Sequence, residues 1–471
     1  MYKPNGTSFK NKKVLVFGLG LLGGGVATTN WLIKHGARVT VTDLKDDSYL
    51  ELSLKRLRGN PRLKLNGHDK KDIEDNEIIV FNPDVSINNP FVKYARKLGK
   101  QIENEATIFY KLCPKPIIAV TGTRGKTTVA NWIGYFLNRA KRRAVVSGNS
   151  YVEPLLKTLD GASRFEYVVN EAPSYHLEYF SRGVPAPEAA IITNLYQDHL
   201  NRHGTMRDYA LAKAAILRNQ SANQHLILNR DDKWTPFFIK QKPRAKIWLF
   251  SMKSLSKKEC GIFYKNGWIY FQDDGIPVPV LRVEDFGKER GRHNLINLLI
   301  SSLAANLVGV PWEIIQKNIT SLPEIKFRQE VIYKTNKLRI INDTAATSPD
   351  GGMAAVNRFA SPATILIAGG TDRQLDYSVW AKTVNKKLKP ENIILLEGSA
   401  TIKILRLLSR NKIEPQVFGT LAKCIQAALI KARQRGQSMI LFSPAAKSFE
   451  KFKNEFDRGR QFNRIIKKLI K

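Results

Sequence analysis

The sequence has little cysteine and no long apolar run. Its three cysteines, Cys113, Cys260 and Cys424, lie far apart in the chain, and this spacing indicates neither a disulfide framework nor a cysteine zinc site. No apolar run approaches the roughly 18 residues of a membrane span, and the N-terminus lacks the pattern of a signal peptide. We therefore expect a folded cytoplasmic protein that does not enter a membrane.

Acidic residues are scarce relative to basic ones. The chain has 76 lysines and arginines against 41 acidic residues, which gives a formal net charge of +35. Such a charge permits nucleic-acid binding through counterion release, but no zinc finger, recognition helix or aromatic RNA-binding motif accompanies it. A basic surface that attracts anionic metabolites is the alternative. We expect no nucleic-acid partner, and the charge itself stays unexplained by the sequence.

Three blocks follow one another along the 471 residues, and each opens with a strand-like apolar run before a glycine-rich or helical segment. Alternating strand and helix signals are typical of doubly wound α/β domains. The sequence therefore predicts an α/β protein of three domains. These are an N-terminal Rossmann-like domain (1–112), a central ATPase-type domain with a phosphate loop on a parallel sheet (113–322), and a C-terminal Rossmann-like domain (323–471).

Residues 121–128, Thr-Gly-Thr-Arg-Gly-Lys-Thr-Thr, lie between a strand-like run and apolar residues at helical spacing. Glycines let backbone N–H groups approach phosphate oxygens, and a helix N-terminus adds positive potential. Lys126 would neutralise the β- and γ-phosphates, and the Thr127 hydroxyl would ligate Mg²⁺. Val120 stands where the strict pattern has glycine, so this is a variant loop. A Gly-Lys-Thr turn can also be only a loop, but the flanking strand and helix favour a nucleoside-triphosphate site.

A second glycine-rich turn, Gly18-x-Gly20-x-x-Gly23, follows the apolar run 14–17, and Asp43 ends the next strand-like run. This spacing fits the dinucleotide fingerprint. Such a turn can hold NAD, as in an oxidoreductase, or the diphosphate of a nucleotide sugar, or no ligand. The residues alone leave these alternatives open.

Glu171 and His199 follow two further apolar runs, 167–169 and 189–193. Open α/β sheets bind ligands at the carboxyl ends of their strands. A carboxylate and an imidazole placed there, beside a triphosphate, could hold Mg²⁺ directly or through water. A lone Glu or His can also be a solvated or capping residue.

These motifs together resemble the Mur ligase family, which commonly carries Asn where Arg124 stands in the phosphate loop. Further segments resemble that family in the same order along the whole chain: 170–178, 194–199, 209–213, 291–297, 341–347, 369–373 and 443–459. The resemblance implies an amide ligase that uses ATP to convert a carboxylic acid into an acyl phosphate, which an amino acid then attacks. It also implies that the C-terminal domain closes over ATP.

The resemblance implies roles for single residues. Catalysis would depend on Lys126, His199 and a carbamylated Lys213, and the metal ligands would be Thr127, Glu171, His199 and Lys213. ATP would contact Gly122, Thr123, Arg124, Gly125, Lys126, Thr127, Thr128, His293, Asn294, Asn297, Arg328 and Asp343. The UDP-substrate would contact Gly18, Gly20, Leu21, Leu22, Gly23, Asp43, Asn82 and Asn149. The incoming amino acid would contact Thr347, Arg373, Ser448 and Phe449.

The implied substrates are ATP with Mg²⁺, UDP-N-acetylmuramoyl-L-alanine and D-glutamate, used by a monomeric cytoplasmic enzyme of peptidoglycan precursor synthesis. Two residues depart from the family pattern in the amino-acid pocket. Ala345 stands where lysine is usual, and Arg373 replaces the lysine that grips the glutamate side chain, although arginine can clamp a carboxylate bidentately. A related ligase for another amino acid therefore stays open, as does a non-catalytic protein that binds nucleotide or nucleic acid.

Overall fold

The computed structural model describes residues 8–21, 23–148, 155–408 and 415–470. It divides into two units, Met1–Leu322 and Pro323–Lys471. The first unit contains two sheets and the second contains one, so the predicted α/β class with three parallel-type sheets is confirmed. The predicted boundaries between domains stay predictions.

The N-terminal sheet has five parallel strands. Its elements are β1 (Lys13–Phe17), α1 (Gly24–Lys34), β2 (Arg38–Thr42), α2 (Asp47–Leu54), β3 (Arg62–Lys64), α3 (Lys70–Glu74), β4 (Ile78–Phe81), α4 (Pro90–Lys97), β5 (Gln101–Glu103) and α5 (Glu105–Leu112). The strand order is β3-β2-β1-β4-β5. β4 is buried throughout and β1 is buried after Lys13, as expected of parallel strands covered on both faces. The strand order reverses beside β1, so the glycine turn lies where such sheets bind ligands.

The central sheet has nine strands. Its elements are β6 (Ile117–Thr121), α6 (Lys126–Arg139), β7 (Ala144–Gly148), β8 (Tyr167–Glu171), α7 (Ser174–Leu177), β9 (Ala189–Ile192), α8 (Leu200–His203), α9 (Met206–Ala214), β10 (His225–Asn229), α10 (Thr235–Ile239), β11 (Lys246–Ser251), β12 (Gly261–Lys265), β13 (Trp268–Asp273), β14 (Ile276–Arg282), α11 (Phe286–Arg290), α12 (Arg292–Leu307) and α13 (Trp312–Asn318). The order is β14-β13-β12-β11-β10-β9-β6-β8-β7. β6 pairs in parallel with β8 and β9, so the residues after these three strands meet at one edge.

The sequence predicts a parallel sheet here, and the antiparallel part of the sheet was not expected. β13 pairs antiparallel with both β12 and β14, and the three strands extend the sheet beyond β11. β14 contributes little to the core, because it is exposed over most of its length. It carries Pro277 and Pro279. Proline is tolerated on such an edge strand, where an N–H is not needed for pairing.

The C-terminal unit has six strands in the order β15-β16-β20-β17-β18-β19, with only β15 antiparallel. Its elements are β15 (Glu330–Lys334), β16 (Leu338–Asn342), α14 (Pro349–Phe359), β17 (Thr364–Ala368), α15 (Ser378–Lys387), β18 (Ile393–Leu396), α16 (Ser399–Leu408), β19 (Gln416–Phe418), α17 (Leu421–Arg433), β20 (Ser438–Phe442) and α18 (Glu455–Leu469). Buried clusters on the two faces of the sheet form its core. In the described parts of both units, every helix is too short or too polar to cross a bilayer.

Candidate active site

The loop between β6 and α6 has a conformation that requires glycine. Gly122 has a φ of 137°, and a Cβ there would lie 2.0 Å from Thr193 Oγ1. Gly125 has a φ of 86° and caps α6, and a Cβ there would lie 2.7 Å from Asn297 Oδ1. Side chains at such positive φ values cost energy. The backbone therefore passes close to its neighbours just before a helix N-terminus, the arrangement that phosphate-binding loops use.

Lys126 folds back over this loop. Its Nζ donates hydrogen bonds to the carbonyl oxygens of Gly122, at 3.0 Å, and Thr123, at 3.2 Å. The ammonium group therefore lies on the loop that the sequence assigns to phosphate. An anion held by the loop would meet this charge without any movement of the backbone.

Thr127 and Glu171 meet at the carboxyl edge of the sheet. The Thr127 hydroxyl donates a 2.8 Å hydrogen bond to Glu171 Oε2, and Glu171 is the last residue of β8. Both groups are oxygen ligands of the kind that Mg²⁺ prefers. Among the described residues, no group of three or more His, Cys, Asp or Glu side chains is arranged to hold a metal. A magnesium site here would therefore need the hydroxyl, phosphate oxygens or a modified side chain as well.

Lys213 lies fully buried beneath the same loop. Its Nζ donates to Gly122 O at 3.0 Å and to Thr121 Oγ1 at 3.4 Å, and it lies 4.6 Å from the centre of the Tyr209 ring. Burial lowers the pKa of this amine well below its ordinary value, and the nearby charge of Lys126 lowers it further, against the smaller opposing effects of Asp198 and Glu171. A buried amine with a lowered pKa is nucleophilic near neutral pH.

The segment after β9 supports the phosphate loop through hydrogen bonds. Asn194 Oδ1 accepts from the Arg124 backbone N–H at 2.9 Å, and the Arg124 guanidinium lies 3.1 Å from Asp198 Oδ2. His199 has a φ of 56°, and its Nε2 lies 3.8 Å from Asp198 Oδ2. The structure therefore brings Arg124 and His199 to one carboxylate.

A buried histidine that the sequence did not single out links these groups. His203 Nε2 lies 3.0 Å from Ser174 Oγ, and its ring stacks on Tyr209 at 5.2 Å. The Tyr209 hydroxyl in turn lies 3.2 Å from Thr123 Oγ1. Burial lowers the pKa of His203 to about 4, so the ring is neutral and packs as part of the scaffold. His203 is the last residue of α8, a helix of four residues, which is too short for its spacing to predict an inward position.

The start of α12 carries the residues assigned to adenine. Asn294 Nδ2 donates to Arg290 O at 2.9 Å, and Asn297 Nδ2 donates to Asn294 Oδ1 at 3.1 Å. Asn297 is also the residue that approaches Gly125. The structure therefore brings Asn294 and Asn297 together beside the phosphate loop, with His293 half-buried next to them. Thr128 is buried in the first turn of α6.

In the N-terminal turn, Asp43 is used by the turn itself. Its Oδ2 accepts from the backbone N–H groups of Leu19, at 2.8 Å, and Gly20, at 3.0 Å. Asn82 Nδ2 donates to Gly18 O at 3.1 Å. Gly18, Gly20, Asp43 and Asn82 are therefore brought together, whereas Leu21 is exposed beside them and Gly23 caps α1. Leu22 and Asn149, also assigned to the UDP-substrate, lie outside the described residues.

Asp343 is a buried carboxyl group of the C-terminal unit. Its Oδ1 accepts from the Gln329 N–H at 3.1 Å and its Oδ2 from Ser443 Oγ at 2.8 Å. Burial raises the pKa of Asp343 to about 7, against smaller opposing effects that include the charges of Arg328 and Arg358. Arg328 and Asp343, both assigned to ATP, are therefore electrostatic neighbours.

Arg458 organises the loops of this unit, a role that the sequence did not predict. It is fully buried, and its guanidinium donates to Thr344, Ala446 and Lys447 at 2.9–3.1 Å. Burial lowers the pKa of Arg458 to about 9. The side chain joins the segment after β16 to the segment after β20, and both carry residues assigned to substrates.

The residues assigned to the amino acid are brought together only in part. The Arg373 guanidinium lies 5.8 Å from the centre of the Phe449 ring. Ser448 is adjacent and buried, and its Oγ has no hydrogen-bond partner among the described residues. Thr347 is half-buried ahead of α14 and donates its N–H to Ala345 O at 3.0 Å. A buried hydroxyl without a protein partner is uncommon in native proteins, so the Ser448 hydroxyl is available to hydrogen bond to a ligand.

The fold and the strand–loop–helix unit thus define an α/β protein of the phosphate-loop class. The family models that match are the Mur ligase middle domain, over residues 120–305, and the MurD-like N-terminal domain of Mur ligases, over residues 12–104. Curated relatives cover nearly the whole chain. The UDP-N-acetylmuramoylalanine–D-glutamate ligase of Roseiflexus sp. (strain RS-1) is 36% identical over 97% of this chain and 98% of its own. That of Borreliella afzelii (strain PKo) is 34% identical over the same shares.

Solved structures share the fold at lower identity. UDP-N-acetylmuramate-alanine ligase MurC from Thermotoga maritima has a TM-score of 0.58 at 19% identity and covers 97% of this chain and 100% of its own. MurF from Acinetobacter baumannii has a TM-score of 0.57 at 15% identity, covering 98% and 91%. The chain belongs to the Mur ligase family, and it is accordingly an ATP-dependent ligase.

Proposed function

We propose that this ligase joins D-glutamate to UDP-N-acetylmuramoyl-L-alanine, with ATP converted to ADP and phosphate, in peptidoglycan precursor synthesis. The observation that carries the proposal is the 36% identity, over 97% of the chain, to a protein named as the ligase of these two substrates. The phosphate loop, the glycine turn and the basic Arg373 supply sites for a triphosphate, a nucleotide diphosphate and a carboxylate. We infer a monomer that works in the cytoplasm.

In the first step, the substrate carboxylate attacks the γ-phosphorus of ATP, and ADP leaves as the acyl phosphate forms. Such a reaction depends on in-line positioning and on neutralising charge. Lys126 exchanges its two loop carbonyls for phosphate oxygens. In the second step, the amino group of the amino acid attacks the acyl carbon, phosphate leaves, and the amine loses a proton.

Magnesium is the expected metal, and it supplies charge neutralisation at the phosphates when bound. Thr127 and Glu171 fit this role, because their oxygens lie 2.8 Å apart beside the loop. The Lys213 amine can add to CO₂ and release a proton, which gives a carbamate with two further oxygen ligands. His199 would contribute through its imidazole from the neighbouring strand end.

Ala345 and Arg373 depart from the family pattern in the amino-acid pocket. A related ligase for another acidic amino acid is therefore the second candidate. The experiment is phosphate release with ATP, Mg²⁺ and UDP-N-acetylmuramoyl-L-alanine, screened over both enantiomers of glutamate, aspartate and neutral amino acids. We expect D-glutamate to give the highest kcat/KM. A higher value for another amino acid would replace the proposed substrate.

A further inference from the structure

A cavity of about 1100 Å³ in the first unit has a strongly basic lining. Its size is near that of cavities that hold small molecules, roughly 300–1,000 Å³. Glu178 is the only carboxylate among its lining residues. The cationic side chains that line it are Arg96, Arg182, Arg218, Lys242 and Arg244.

This cavity is separate from the phosphate loop. Arg182 lies in the segment that leads into β9, Arg218 in the segment that leads into β10, and Lys242 and Arg244 in the turn before β11. These strands run parallel to β6. The four side chains therefore belong to the amino edge of the sheet, whereas the phosphate loop follows its carboxyl edge, roughly 15 Å away for a strand of this length.

The positive charge of the cavity is not balanced by the protein. Glu178 is already engaged by Arg202 and lies 3.8 Å from His203. Within the described ranges, none of the five cationic side chains lies within ion-pair distance of a carboxylate. Lys246, two residues after Arg244, is by contrast paired with Asp273 at 3.0 Å. Like charges gathered around one space repel one another, and a bound anion would relieve that repulsion.

Hydrogen bonds fix two of the segments that carry these charges. Asn219 Nδ2 donates to the carbonyl oxygens of Ser181, at 2.8 Å, and Val184, at 2.7 Å. Arg218 donates to Phe180 O at 3.2 Å. These hydrogen bonds tie the segment around Arg182 to the segment around Arg218 and fix that part of the cavity wall, from which the exposed cationic side chains project.

We propose that this cavity binds a small phosphate-bearing anion with three or more negative charges, as an oligophosphate has. Arginine pairs with phosphate oxygens through two parallel hydrogen bonds, and four of the five cations are arginines. A single strand of nucleic acid fits less well, because such strands stack their bases on accessible aromatic rings, and Tyr179 and Phe180 in the cavity wall are buried. The site accounts for part of the excess positive charge.

The test is calorimetric titration of the full chain with inorganic tripolyphosphate, at about 150 mM salt so that weak surface attraction is screened. A Lys126→Ala background weakens binding at the phosphate loop. The cavity variant is Arg182→Glu/Lys242→Glu/Arg244→Glu. The matched control, Lys382→Glu/Lys386→Glu/Lys389→Glu, makes the same charge change at exposed positions of the C-terminal unit. In the wild-type background, unchanged ligase activity of the cavity variant shows that it is folded.

We expect the cavity variant to bind tripolyphosphate at least ten-fold more weakly than the background protein, and the control less than two-fold more weakly. Equal losses of affinity in the two variants would show that binding depends on the overall positive charge of the protein. An absence of saturable binding in the background protein would exclude the site. Tighter binding of an oligothymidylate with the same number of phosphates would show that the site prefers nucleic acid to a small anion. Each of these three results overturns the proposal.

Discussion

The phosphate loop and the amino-acid end of the C-terminal unit differ in how their polar groups are satisfied. Around the loop, Lys126, Thr127 and Lys213 hydrogen bond to neighbouring protein atoms. At the amino-acid end, Ser448 Oγ is buried without a partner among the described residues, and Arg373 lies over an aromatic ring. A ligand at the loop would therefore exchange hydrogen bonds, whereas an amino acid at Ser448 would add one. Leaving a buried group without a hydrogen bond costs free energy. A ligand that bonds to Ser448 should therefore stabilise its site more than a ligand that only exchanges bonds at the loop.

Replacing Lys213 tests the phosphate-loop side of this comparison, and we expect the largest effect there. Lys213→Met keeps the apolar stem but removes the amine, and we expect substrate-dependent phosphate release to fall by about 100-fold or more, as when a group that stabilises transition-state charge is lost. Lys240→Met, at an exposed lysine of the same unit, should leave the rate unchanged. Removing dissolved CO₂ should lower the wild-type rate, and bicarbonate should restore it. A fully active Lys213→Met would show that the amine is only a packing element.

Asp343 tests whether burial of a carboxyl group makes the stability of the C-terminal unit depend on pH. Burial raises the pKa of Asp343 to about 7 from 3.8, so between these values the unfolded chain is ionised while the folded protein keeps its proton. Stability should therefore fall as pH rises through this window, by about 2 kcal/mol between pH 5 and pH 7. Asp343→Asn should remove this loss.

The measurement is hydrogen exchange in β16 and β20 of the two proteins at several pH values. All seven histidines lie in the first unit, so no imidazole of the C-terminal unit titrates in the same window. Parallel pH profiles for wild type and Asp343→Asn would contradict a raised pKa at this carboxyl.

Replacing Arg373 tests the amino-acid end of the comparison. Arg373→Ala should raise the KM for D-glutamate by roughly 10-fold, because a hydrogen bond to a charged group contributes about 1.5 kcal/mol or more. The KM for ATP should stay the same, and Arg373→Lys should retain part of the affinity, since lysine keeps the charge without the bidentate geometry. Equal increases in both KM values would show that Arg373 supports the fold rather than the amino acid.

Ser448 gives the smallest expected effect and compares directly with Ser443. Ser448→Ala removes a buried hydroxyl that has no partner in the described structure, so stability should change by less than about 0.5 kcal/mol while the KM for the amino acid rises a few-fold. Ser443→Ala removes a hydrogen bond to Asp343 and should destabilise the unit by about 1 kcal/mol or more. Urea denaturation and steady-state kinetics of both variants measure the difference. A larger loss of stability for Ser448→Ala would reverse the comparison.

Much of the fold could be predicted because its strands are short apolar runs that end in polar residues. β1, β6, β8 and β9 were expected within a residue or two, and the residues after them were expected at one edge. The antiparallel part of the central sheet was missed. β14 alternates proline with exposed residues and shows no apolar face, whereas β12 and β13 are short aromatic-rich runs with buried residues. Pairing of that kind depends on neighbours distant in sequence, which a single strand does not reveal.

Some residues of the candidate site could be predicted from the sequence and others could not. The difference again depends on how far apart the contacting residues lie in the chain. Spacing places Lys126 and Thr127 on a helix N-terminus, and the hydrogen bonds of Lys126 to Gly122 and Thr123 follow from local geometry. Arg458 and His203 act through contacts with segments far away in sequence, and a buried arginine looks in sequence like any surface arginine. The hydrogen bonds from Leu19 and Gly20 to Asp43 were likewise invisible, because the same spacing fits a carboxylate that contacts a ribose.

The central claim is that the loop at residues 121–128 holds the triphosphate of ATP so that a carboxylate can be activated. The most direct measurement is phosphate release from ATP in the presence of Mg²⁺, UDP-N-acetylmuramoyl-L-alanine and D-glutamate, compared between wild type, Lys126→Ala and the exposed-lysine control Lys240→Ala. We predict that release by wild type and Lys240→Ala requires both substrates, and that Lys126→Ala is slower by about 100-fold or more. Unchanged turnover by a folded Lys126→Ala would contradict the claim.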